Sequence, residues 1–127
     1  MRMPGKTLSA LFLASAFLFP ALADAQVFNF KEIEAKVREF RAILYQAGAN
    51  GSRFWTRLDS SKRPHKLYVG DGFMSADDEA KENFIELFSR FLAGHPEKNM
   101  LIDIYDASTS TLIGEYGFGG FRLFPPK

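Results

Sequence analysis

Apolar residues follow two different periods along this chain, and the switching between them limits the fold more than any other feature. Phe30, Ile33, Val37, Phe40, Leu44 and Ala47 recur at spacings of three and four, one stripe of a helix. Ala80, Phe84, Leu87, Phe88, Phe91 and Leu92 gather on one side of a second helix in the same way. Between and after these stripes the period falls to two, in Arg53–Leu58, His65–Gly70 and Met100–Tyr105, and strand-like runs return at Leu112–Tyr116 and Phe121–Phe124. The order is α-β-β-α-β-β(-β). It predicts an α+β domain, a two-layer sandwich with two helices on one face of a mainly antiparallel four- or five-stranded sheet.

The boundaries follow from capping and turn chemistry. Asn29 with Glu32 three residues on forms a capping box for the first helix, with Phe28 and Ile33 placed for a hydrophobic staple. Gly48 ends that helix, and its stripe is expected to pack on the sheet rather than form a dimer seam. Ser75 with Asp78 reads as the cap of a helix over residues 76–93, which Gly94-His95-Pro96 stops. The expected shared core is Phe40, Leu44, Leu67, Val69, Phe84, Phe88, Phe91, Ile102 and Ile104.

Residues 1–25 read as an address instead of a structural element. Arg2 and Lys6 precede an uncharged apolar run from Thr7 to Phe19, Pro20 breaks it, and Ala23 and Ala25 fit a small-x-small cleavage site before Gln26. The run is shorter than the roughly 18–20 apolar residues a spanning helix needs. The expectation is a cleaved secretory signal, a single domain over 26–127 with no transmembrane segment, and a periplasmic or secreted location. The chain has 16 basic and 15 acidic residues, and loss of Arg2, Lys6 and Asp24 leaves the two signs equal. That balance gives no support to nucleic-acid binding. With no cysteine, thiolate metal sites, disulfides and cysteine nucleophiles are excluded, and the aromatic side chains must supply the burial.

Chemistry-bearing residues are few. His65 and His95 stand without a G-x-S-x-G or H-E-x-x-H motif. Asp71, Asp103 and Asp106 do not keep calcium-loop spacing, and alternation puts Leu101, Asp103 and Tyr105 toward solvent with Met100, Ile102 and Ile104 inside. Gly114, Gly117, Gly119 and Gly120 lack the following helix that a phosphate cradle requires. They are expected to serve a bulge or tight turn that lets Phe118 and Phe121 turn inward. No cofactor is expected.

The first hairpin is different. Residues 53–66 carry five basic side chains and one acid, whereas 71–86 carry six acids and one base. Strict alternation puts Arg53, Trp55, Arg57, Lys66 and Tyr68 on one face, with Trp55 opposite Tyr68 or, in a register slid by two, opposite Lys66. Cations and flat aromatics on one surface suit an anion. The expected function is an exported, non-enzymatic binding module for an anionic ligand or an envelope partner protein. The alternatives are a small extracytoplasmic hydrolase or lyase using a His–carboxylate pair, and a structural or inhibitory partner subunit. Against the anion site stands a plainer possibility, that Trp55 is covered and the arginines pair with the acidic start of the second helix.

Overall fold

The computed structural model describes residues 28–125; the export signal read at 1–25 lies outside them. The elements are α1 (Phe30–Gln46), β1 (Trp55–Asp59), β2 (His65–Val69), α2 (Asp71–Met74), α3 (Asp78–Ala93), β3 (Ile102–Asp106), β4 (Thr111–Gly117) and β5 (Gly120–Leu123). The strands form one open sheet in the order β1-β2-β3-β4-β5. Three neighbour pairs are antiparallel, and β2–β3 is parallel, with α3 inside the crossover that a parallel pair requires. The helices lie on one face, so the α+β sandwich expected from the sequence is the architecture found. Among the described residues no helix is long and apolar enough to cross a membrane.

Local sequence explains the ends of the helices. At α1, Asn29 Oδ1 accepts from the Glu32 amide at 2.8 Å and Glu32 Oε1 accepts from the Asn29 amide at 3.0 Å, the reciprocal capping box. At α3 the cap is Asp77, whose carboxylate accepts from the Ala80 amide at 2.8 Å, and not Ser75. The cause is α2, a short helix over Asp71–Met74 that the two-helix expectation does not include. Its end is closed by Ser75, whose hydroxyl donates to the Asp71 carbonyl at 2.8 Å and whose backbone is helical, whereas Asp77 has the extended backbone of an N-cap. Gly94 at φ 68° ends α3 in the left-handed conformation that glycine adopts without strain.

Buried residues of α1, α2, α3, β2 and β3 meet in one core between the helices and the sheet. Leu44, Leu67, Val69, Phe84, Phe88, Ile102 and Ile104 lie in one core, as expected, while Phe40 and Phe91 are only partly buried. Phe73 and Ile85 join them, both fully buried. The stripe of α1 packs chiefly against α3, not directly on the sheet, so α1 is the outermost element of the helical layer. Its C-terminal end is tied inward by the indole of Trp55, which donates to the Leu44 carbonyl at 2.8 Å. The glycine-rich end is a tight β4–β5 hairpin with Gly117 opposite Gly120. Phe121 packs on the core as expected, but Phe118 does not turn inward: it stands fully exposed at the hairpin tip.

Candidate functional site on the open sheet face

One extra residue in β1 decides which side chains share a surface. Trp55 pairs with Val69, whereas Arg57 pairs with Tyr68, so β1 advances two residues while β2 advances one. Thr56 is the additional residue of a β-bulge, and it reverses the facing of everything N-terminal to it. Trp55 therefore turns to the helical side, its ring edge-on to Phe88 at 5.1 Å. Neither register expected from strict alternation occurs. The adjacent pair Phe54-Trp55 was the one visible sign, since two successive large aromatics break a period of two. Both pack against the core.

Arg53 also leaves the surface read for it. It precedes β1 at φ 62°, and its guanidinium bonds the Asp71 carboxylate at 2.7 and 3.3 Å. Those bonds hold the Asp71 carboxyl below its ordinary range. Trp55 is thus turned to the core, as the plainer possibility held, but Arg53 pairs with Asp71 of α2 and not with the acidic start of the helix over residues 76–93, and Arg57 pairs with neither.

Arg57, Lys66 and Tyr68 remain together on the face opposite the helices, joined by Tyr105 from β3. Six cross-strand residue pairings place side chains of this face in two rows. The first runs Arg57–Tyr68–Tyr105. The Arg57 guanidinium lies 3.8 Å from the Tyr68 ring centre, and the Tyr68 and Tyr105 rings stack at 5.1 Å and 25°. The second row runs Asp59–Lys66–Asp103–Glu115–Arg122. Here Arg122 bonds Glu115 at 2.6 Å, and Lys66 Nζ lies 5.8 Å from the Tyr105 ring centre. Partial burial, and then the facing Glu115, push the Asp103 carboxyl above its ordinary range, with Lys66 opposing. Asp59 is held down by the Ser61 hydroxyl and amide.

Stacking occupies the face of a guanidinium and leaves its edge donors free. Among the described residues no carboxylate approaches Arg57 or Lys66 within 4.0 Å, and no hydrogen bond engages the Arg57 guanidinium. The first row thus carries a cation placed over one aromatic ring with a second ring stacked beside it and no acid between them. The second row mixes both signs.

The histidines do not form the acid–base pair that a hydrolase would need. Among the described residues neither ring bonds a carboxylate. His95 Nδ1 accepts from the Glu97 amide at 3.0 Å, and its ring stands edge-on to Phe28. His65 is buried, with Nδ1 at 2.7 Å from the Ser60 hydroxyl and Nε2 without a partner. Asp59 and Asp71, the two acids nearest to His65 in sequence, are bonded to Ser61 and Arg53. The acids considered for a cation are dispersed: Asp71 serves Arg53, Asp103 lies on the open face, and Asp106 accepts from Ser108 in a turn.

Burial, and secondarily the charge of Arg63, lower the His65 pKa from its ordinary 6.5. The unfolded chain therefore binds a proton there before the folded one does. Stability from this group is complete above pH ~6.5 and declines as pH falls below it toward the folded value. Asp59 and Asp71, both lowered from 3.8, act in a more acidic window. The thermal midpoint is expected to drop between pH 7 and 5 in the wild type, and to drop less in His65→Gln. Equal pH profiles for the two proteins would refute the burial account.

Compared with known proteins, the chain matches no family model, and no curated protein or solved structure is significantly similar to it.

Proposed function

We propose that this chain is an exported, non-enzymatic binding module whose open sheet face takes an anionic ligand. The observation that carries the reading is the Arg57–Tyr68–Tyr105 row, a guanidinium over a tyrosine ring with no carboxylate within 4.0 Å, continued by a second stacked ring. A phosphate, carboxylate or acidic sugar would accept from the Arg57 edge while its flat or apolar part lies along the tyrosines. The acids of the neighbouring row orient such a ligand, since its negative group avoids Asp103 and Glu115. Lys66, in the second row with its ammonium toward the Tyr105 ring, adds a second cation. The chain would reach its location through the signal read at residues 1–25.

The protein-partner alternative has one observation in its favour. The open sheet ends in β1 and β5, two edges at which a partner strand could add.

Labelling the tyrosines with fluorine and titrating with inorganic phosphate, glucuronate and benzoate tests the reading. Tyr68 and Tyr105 resonances are expected to shift saturably at low salt and much less at 0.5 M salt, where screening is strong. Arg57→Ala should abolish the response, and Arg53→Ala should leave it intact because that arginine serves Asp71. Unmoved resonances, or an Arg57→Ala protein that binds as well as wild type, would sink the proposal.

A further inference from the structure

A second concavity lies beyond the Tyr105 end of that row, between α2 and α3 on one side and the β4–β5 end of the sheet on the other, with Leu112, the cross-strand partner of Tyr105, in its lining. Its volume is about 670 Å³, within the usual range for small-molecule sites. Phe73, Met74, Ile113, Leu123 and Phe124 line it, and Lys81 is the one charged side chain in its wall. The geometry has a local cause. Between Ile104/Gly114 and Tyr105/Leu112, β3 advances one residue and β4 two, so Ile113 is an extra, bulged residue. The Phe124 amide donates to the Ile113 carbonyl at 2.8 Å, which holds the segment after β5 along the crevice.

From these features we propose that the crevice binds a single-chain apolar carboxylate, such as a medium-chain fatty acid, with Lys81 holding the carboxylate. Lys81 Nζ lies 5.7 Å from the centre of the Phe73 ring, against the apolar wall. Among the described residues no carboxylate lies within 4.0 Å of it. Asp77, one turn back on the same helix, is engaged by the Ala80 amide. An apolar cleft with one cation in its wall matches a molecule that is apolar along its length and anionic at one end. Thr111, also in the lining, offers a hydroxyl to the second carboxylate oxygen. Met74 and Leu112 are each 42% exposed, and an alkyl chain laid between them would cover apolar surface that now meets water. The proposal is independent of the Arg57 row, and either can fail alone.

The test follows the methyl resonances of Met74, Ile113 and Leu123 in the full chain, with hexanoate, octanoate and decanoate below their micellar concentrations. Decanol and decyltrimethylammonium serve as uncharged and cationic comparisons. Saturable shifts are expected for the acids, tightening about fourfold for each added methylene. Lys81→Gln should weaken octanoate by at least about tenfold and leave decanol unchanged. Leu112→Trp, at the exposed rim, should block acid and alcohol alike. The proposal is overturned if the methyls do not respond, or if the cationic amphiphile binds as well as the acid. It also falls if Lys81→Gln binds octanoate normally. Shifts that depend on protein concentration alone would assign the crevice to contact between copies, and would overturn it too.

Discussion

Replacing Phe88 by alanine is expected to cost about 3–5 kcal/mol of folding free energy, a large share of what a domain of this size possesses. The ring is 1% exposed and stands at the centre of the aromatic cluster. Trp55, Phe84 and Phe91 meet it at centroid distances of 5.1, 5.7 and 6.1 Å, all at steep interplanar angles. Its removal leaves a void bounded by rigid rings that cannot close in without losing their own edge-to-face contacts. Urea unfolding followed by far-ultraviolet circular dichroism measures the change. An unmoved midpoint would mean that the inner face of α3 does not carry the core.

Ser89→Ala is expected to cost about 2–4 kcal/mol although it removes a single oxygen, because it strands two backbone groups together. The Ser89 hydroxyl is fully buried, donates to the Met100 carbonyl at 2.6 Å and accepts from the Met100 amide at 2.7 Å. It thereby clamps the segment entering β3 to the middle of α3. Hydrogen exchange at the Met100 amide is the specific readout. The amide should exchange much faster in the variant, and a rate equal to wild type would show that another group holds Met100.

The parts of the fold legible in the sequence are those where one local rule acts without competition. Asn29 and Glu32 cap α1 because their spacing alone settles the matter. Ile102 and Ile104 point inward, with Asp103 and Tyr105 less buried, because β3 keeps its period before the bulge. The candidate site was legible only in part. Arg57, Lys66 and Tyr68 share a face as alternation requires, but Trp55 does not, because the Thr56 bulge is a choice of pairing that only β2 can reveal. Tyr105 was missed as a member because its partner strand is fixed by the parallel pairing, which sequence order does not specify. Ser75 was misread for another reason: two capping residues stood close together, and the short helix ahead of them claimed one. In the sequence Lys81 is only the one base of the acidic run 71–86. Its relation to the crevice depends on β4 and β5 lying alongside α2 and α3.

The parallel pairing of β2 with β3 has a consequence for how the chain reaches this state. It divides the sheet into an N-terminal hairpin, β1–β2, and a C-terminal meander, β3–β4–β5, each closed by short connections. The two halves join along one seam, and that seam can zip only after residues 70–101 have looped over and docked. Local pairs close early and cheaply, whereas this long closure loses chain entropy before its contacts form. The slow event in folding is therefore expected to be the closure of this seam, with α3 as the bridge. Substitutions at the seam should retard folding more than equally destabilising ones within either half.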